Sequence, residues 1–167
     1  MKIITIFLFA AMVTASCSQA QKSSFSNETM KYELQSLDGT DKAFADIMAA
    51  HRGKAVVIEF WASWCGDCVK AMPKLKQLQA DHPEVAYVFI SLDKTAEKWQ
   101  AGISKHELKG DHFLVTDPEG MKGTFGKSVD LDWIPRYMIL DKDGKIKLYR
   151  AIETDFDLIN STLNQLK

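Results

Sequence analysis

Ala55-Val56-Val57-Ile58-Glu59-Phe60-Trp61-Ala62-Ser63-Trp64-Cys65-Gly66-Asp67-Cys68 decides how the rest of this 167-residue chain is read. Its first six residues are an apolar run rich in β-branched side chains, the pattern of a buried strand. From Cys65 the spacing turns helical: Met72, Leu75 and Leu78 share one face, and Lys70, Lys74 and Lys76 lie mainly away from it. The two cysteines therefore fall at a strand-to-helix junction. Three residues of separation in a helix's first turn bring both sulfurs to one side, close enough for a small disulfide ring or a dithiol. Such a pair can hold or release two electrons.

Working outward, residues 85–92 form a second continuous apolar run, a central strand, followed by Asp93 as a helix cap and a helix to about Lys105. Residues 112–115 read as a short strand and Asp117-Pro118-Glu119-Gly120 as a turn. Residues 136–140 and 145–150 flank Asp141-Lys142-Asp143-Gly144 and read as an antiparallel hairpin. Thr154, with Asp157 three residues on, starts a closing helix. Upstream, residues 32–37 alternate as a strand ending at Asp38-Gly39, and residues 44–51 can make one short helix. Pro73 falls inside the helix that opens at Cys65 and is expected to bend it. Strands and helices in this order indicate an α/β sandwich around a mixed sheet.

The chain has room for one domain with a real core, and 46% hydrophobic content excludes a wholly disordered protein. A net charge of -1 with interspersed signs supplies no basic stripe for nucleic acid. At the N-terminus Lys2 precedes an apolar stretch, residues 3–13, too short to span a bilayer, which is a signal-peptide pattern. It ends Val13-Thr14-Ala15-Ser16-Cys17, which resembles the lipobox of bacterial lipoproteins except that Thr14 stands where Leu is preferred. That assigns 1–16 as signal peptide, 17–30 as a flexible tether after a lipidated Cys17, and 31–167 as the folded domain; the alternative is ordinary cleavage after Ala20. Either reading exports the protein to the periplasmic side of a bacterial membrane, lipid-anchored or soluble. Of three cysteines one is then spent, and the remaining pair closes too short a loop to be a useful structural staple.

Gly53-Lys54, the stretch from Phe60 to Cys68, Met72-Pro73 and Ile134-Pro135 together resemble the thioredoxin superfamily, in particular its exported TlpA/ResA-like thiol-disulfide oxidoreductases. The resemblance runs from about Tyr32 to the C-terminus, and the segment 93–115 is similar to the helix-strand insertion of that branch. It implies a thioredoxin fold with a mixed central sheet flanked by helices. It also implies a monomer that exchanges electrons with client proteins carrying disulfides or cysteines, such as an apocytochrome, and with a membrane electron-donor thiol protein. Two positions depart from the family: Asp67, where Pro or a small neutral residue is common, and Glu59, where Asn or Asp is common.

The unpaired amides and dipole at a helix start favour a Cys65 thiolate, so Cys65 is expected to be the nucleophile. Cys68, one turn in, is expected to be covered and to resolve the mixed disulfide. Strand alternation can aim Glu59 under the pair, and a buried carboxylate with a raised pKa suits the exchange of the Cys68 proton. Asp67, beside Gly66, disfavours the thiolate and tilts the expectation towards a reductant; the alternative is a solvated Asp stabilised by the helix dipole. The resemblance implies a cis bond at Pro135, which leaves the Ile134 backbone free to pair with an extended substrate. Trp61, Trp64 and Trp133 are candidates for an apolar collar, with Trp61 equally readable as core.

No organic cofactor or metal is expected, because zinc would need two ligands beyond the CxxC. His51, His82, His106 and His112 read as solvated surface residues. Two rival functions remain open. A peroxide-reducing relative would need a Pro/Thr-containing loop before its cysteine, where this chain has Ala62-Ser63-Trp64. A tethered binding or chaperone module would leave the CxxC incidental.

Overall fold

The computed structural model describes residues 22–167; residues 1–16, read as signal peptide, and Cys17 lie outside them. The chain runs α1 (Asn27–Lys31), β1 (Glu33–Ser36), β2 (Asp41–Ala43), α2 (Phe44–Ala49), β3 (Val56–Trp61) and α3 (Gly66–Asp81). It continues with β4 (Ala86–Ser91), α4 (Ala96–His106), β5 (Asp111–Leu114), a 3-10 turn (Gly120–Lys122), α5 (Thr124–Ser128), β6 (Arg136–Leu140), β7 (Ile146–Ala151) and α6 (Phe156–Asn164). The strands form one sheet in the order β2-β1-β5-β4-β3-β6-β7. β3, β4 and β5 are parallel, and the remaining pairings are antiparallel. This is the mixed sheet flanked by helices that the sequence implied.

Alternation along β3 sorts the two layers. Phe60 points to one face, where its ring meets Phe125 of α5, which in turn meets Tyr32 and Phe44 of α2. Val57, Glu59 and Trp61 point to the other. On that face Tyr87, paired with Val57 in β4, donates its hydroxyl to the Leu78 carbonyl of α3, and Tyr137, paired with Glu59 in β6, packs edge-on against Phe156 of α6. α3 and α6 therefore cover the face that carries Glu59. β3 is buried along its whole length, as its unbroken apolar run requires of a central strand.

Several local expectations are corrected. Asp93 does not cap α4; Thr95 does, its hydroxyl accepting from the Lys98 N–H, because Asp93 is drawn into the interior by other donors described below. The last helix opens at Phe156 rather than at Thr154, since the Asp155 carboxylate is taken by the Ile152 N–H. β2, α5 and α1 had no expected counterpart; each is five residues or fewer, too short for a periodic signal.

The segment read as tether also contributes to the folded unit. The Ser23 carbonyl accepts from the Ile146 N–H, Phe25 packs edge-on against Phe44, and Ser26 caps α1, whose Thr29 is fully buried. Lys22 pairs with Asp130, whose carboxylate also takes the Tyr149 hydroxyl, and lies over the Tyr149 ring. The folded body thus starts about eight residues before residue 31.

His82 and His112 are buried, not solvated. His82 joins α3 to α6 through Asn160 at 2.6 Å, and His112 stacks on Phe89 while its Nε2 lies 3.2 Å from the Leu108 carbonyl. Each follows an exposed aspartate, Asp81 or Asp111, which disguised a helix-end and a strand position as surface.

Candidate active site

β3 ends at Trp61 and α3 begins at Gly66, so the intervening turn delivers Cys65 to the N-cap of α3. A cap residue meets amides that have no partner inside the helix, and Cys65 Sγ accepts the Cys68 N–H at 3.1 Å. Cys65 and Cys68 are joined as a disulfide. Cys65 is 6% exposed and Cys68 fully buried, the asymmetry the helical spacing predicted.

The Cys65 sulfur lies 3.5 Å from the Ile134 carbonyl oxygen. The Ile134–Pro135 peptide is cis, in the loop that leads into β6. Ile134's own N–H makes no hydrogen bond among the described residues. Asp132 fixes this loop: one carboxylate oxygen takes the buried Arg136, the other takes Arg150 of β7. A charged pair held by two guanidinium groups is directional, so the loop's approach to the sulfur is set by side chains on two strands.

Glu59 is 1% exposed. Burial pushes its carboxyl up from the ordinary value to about 8, opposed only by the hydrogen bond that Tyr137 donates to Oε1 at 3.1 Å. Its other oxygen, Oε2, has no partner among the described residues. Glu59 thus occupies the layer beneath α3, the helix whose buried side is Cys68, Ala71, Met72, Leu75 and Leu78.

Asp67 stands in the first turn of α3 and pairs with Lys70 at 3.1 Å, so its charge is partly matched by the cation one turn on. The sequence had set Lys70 simply away from the core. Gly66 is exposed, and a Cβ built there would meet nothing within 4 Å. Trp64, just before Cys65, and Trp133, just before Ile134, are 59% and 52% exposed, whereas Trp61 is fully buried and belongs to the core. Trp64 also walls a cleft of about 670 Å³ that runs past Leu92, Val115, Pro118 and Met121.

Three features escaped sequence reasoning. Asp93 accepts from the Ser63 N–H, the Ser63 hydroxyl and the Ser91 hydroxyl, tying the turn before Cys65 to the end of β4. No spacing rule announces such a link. Asp132–Arg136 has i,i+4 spacing, a faint signal outside a helix. Tyr137 opposite Glu59 follows from strand register, which becomes available once β3 and β6 are known to be neighbours.

A redox-active cysteine pair capping the first helix after a central strand, beside a cis proline, defines a dithiol-disulfide exchange module. A family model described as thioredoxin-like matches residues 53–146, more than half of the sequence, and the chain belongs to that family. It is 28% identical over 130 residues to the thiol-disulfide oxidoreductase ResA of Bacillus thuringiensis, covering 75% of this chain and 69% of the relative. Among solved structures it is similar to a thiol-disulfide oxidoreductase from Bacteroides fragilis, with 26% identity, a TM-score of 0.65, and coverage of 81% of this chain and 96% of that one. A secreted disulfide oxidoreductase of Mycobacterium tuberculosis shares the fold, with 22% identity, a TM-score of 0.63, and coverage of 84% of this chain and the whole of that one. Fold, cysteine pair and relatives together make this protein a thiol-disulfide oxidoreductase.

Proposed function

We propose that this protein is an exported reductant of protein disulfides, held to a membrane through a lipid on Cys17, with Cys65 attacking and Cys68 resolving. The observation that carries the reading is the Cys65 sulfur at the N-cap of α3, accepting the Cys68 N–H and lying against Ile134. In the reduced protein the same amide and the helix dipole stabilise a Cys65 thiolate. That thiolate attacks a client disulfide, forming a mixed disulfide and expelling one client thiolate. Cys68 then gives its proton to Glu59, directly or through one water, and its thiolate attacks the Cys65 sulfur. The internal disulfide closes, the second client sulfur leaves, and two electrons have passed to the client.

Ile134, with a free N–H before Pro135, offers an extended client segment a strand-like hydrogen bond, and the exposed Trp64 and Trp133 give it apolar purchase. Asp67, beside the exposed Gly66, adds negative charge next to the thiolate, which supports the reducing direction. A membrane thiol protein re-reduces the pair; clients are proteins with disulfides or cysteines, an apocytochrome being one candidate. Residues 1–16 serve as signal peptide, and the sequence ending at Cys17 supports lipidation; among the described residues no helix is long and apolar enough to cross a membrane.

An insulin-disulfide reduction assay tests the central reading: Cys65→Ser abolishes activity, and equal activity in the variant and the wild type overturns it. Peroxide consumption instead would favour the peroxide-reducing alternative. Glutathione titration tests direction, with a potential near the thioredoxin value of about -270 mV expected and one near -120 mV excluding a reductant. Labelled palmitate incorporated into the wild type and not into Cys17→Ala tests the anchor.

A further inference from the structure

Glu59 stands directly opposite Tyr137 on the antiparallel pair β3–β6, so the backbone itself holds the two side chains side by side on one face. Tyr137 is fully buried and its ring is wedged edge-on against Phe156, with centroids 5.3 Å apart. The phenol donates to Glu59 Oε1 at 3.1 Å and is the only donor that oxygen receives among the described residues, while Oε2 receives none. On its other flank Glu59 pairs in register with Phe89 of β4, which offers no polar atom.

We propose that Tyr137 is a positioning residue for the redox reaction, its phenol fixing one oxygen of Glu59 so that the other is left to take the Cys68 proton. The inference rests on the assignment of Glu59 and Cys68 made above. A phenol bonds a carboxylate more strongly than a neutral carboxylic acid, so Tyr137 favours the form of Glu59 that can act as a base, against the burial that favours the acid. It remains a donor throughout the working range, because burial and the neighbouring Glu59 and Glu153 carboxylates hold its proton on.

The groups facing this pair are few. β6 contributes Tyr137 alone, and α3, which covers this face, carries Cys68 on its buried side, with Lys74 further along, over the Phe156 ring. The turn before α6 contributes Glu153, whose Oε2 is likewise buried and unpaired. Tyr137 is the residue among them that donates to the Glu59 carboxylate. The proton transfer is balanced: Cys68 thiol and Glu59 carboxylate become thiolate and acid, and the thiolate then closes onto Cys65 as the client sulfur departs.

A chromogenic aryl disulfide mixed with the reduced full-length protein separates the two steps. One aryl thiolate is released when Cys65 attacks and a second when Cys68 closes the ring. In Tyr137→Phe the first release is unchanged, while the pH midpoint of the second rises by about one unit and its rate at pH 7 falls about tenfold. On a Glu59→Gln background the same substitution slows nothing further.

An unmoved midpoint, a slowing equal at every pH, or further slowing on the Glu59→Gln background overturns the inference. If Glu59→Gln itself leaves the second release and its pH profile unchanged, the assignment of Glu59 fails instead, which is a distinct result. Should Tyr137→Phe not fold, fluorotyrosine in place of tyrosine supplies a more acidic, stronger donor. It must then move the midpoint down, and an unmoved midpoint again overturns the proposal.

Discussion

Asp93 and Ser63 are joined by two hydrogen bonds, from the Ser63 N–H at 3.0 Å and from its hydroxyl at 2.6 Å, although they lie thirty residues apart. Asp93 is 3% exposed and also takes the Ser91 hydroxyl, so one buried carboxylate fastens the turn that presents Trp64 and Cys65 to the end of β4. Asp93→Ala strands those donors. Each buried donor left unpaired costs about 1–3 kcal/mol, so chemical denaturation is expected to reveal a loss of about 3 kcal/mol, with slower insulin reduction.

Gly102 of α4 grips the same turn from outside. A Cβ built on it would sit 2.7 Å from Ser63 Cβ and 3.1 Å from the Trp61 ring. Alanine normally gains about 1 kcal/mol over glycine within a helix, but overpacking costs about 1–3 kcal/mol. Gly102→Ala is therefore expected to destabilise, whereas Gly66→Ala, with open space around it, is expected to leave thermal stability unchanged or slightly raised.

Glu59 governs stability against pH with a definite sign. Its carboxyl is ordinary when unfolded, at 4.5, and raised to about 8 when folded, so the native state holds the extra proton between those values. Stability from this group is fully present below pH 4.5 and lost as pH rises through 8. Urea denaturation across that window is expected to find the wild type losing ground to Glu59→Gln, by a few kcal/mol at most. Parallel curves would contradict it.

Asp67 is expected to matter less than its position suggests. Its pairing with Lys70 is solvent-exposed and screened. Even a one-unit rise in the Cys65 thiol from about 7 weakens the ionisation stabilisation of the reduced form only about twofold at neutral pH, roughly 10 mV. Asp67→Asn should shift the potential in a glutathione titration by no more than about 15 mV.

Trp64→Ala and Trp133→Ala separate client binding from chemistry. Both indoles are more than half exposed and neither supports the core. Each substitution is expected to slow insulin reduction about fivefold while leaving attack on a small aryl disulfide within about twofold. Equal losses on both substrates would remove the binding role.

The sheet's central strands were legible because their apolar runs are long and β-branched, and the cysteine pair because its spacing sits where period two gives way to period 3.6. Burial of Glu59 was legible for the same reason: a carboxylate inside such a run has nowhere else to go. Tyr137, Asp132 and Asp93 were not, because each acts across strands or loops whose adjacency is a tertiary property. The buried histidines misled because neighbouring charges such as Asp81, Glu84 and Asp111 project outward from the same segments while His82 and His112 turn inward.

The ordered N-terminal segment has a geometric consequence for a lipid-anchored protein. Ser23 and Lys22 are fastened to Ile146 and Asp130; were Cys17 lipidated as proposed, the five residues from it to Lys22 could span at most about 18 Å, instead of the roughly 50 Å that fourteen would allow. Asp130 lies four residues before Ile134. The catalytic edge would then ride low over the bilayer, and clients would have to be met at the lipid surface as they emerge or pass along it, not gathered from the surrounding volume.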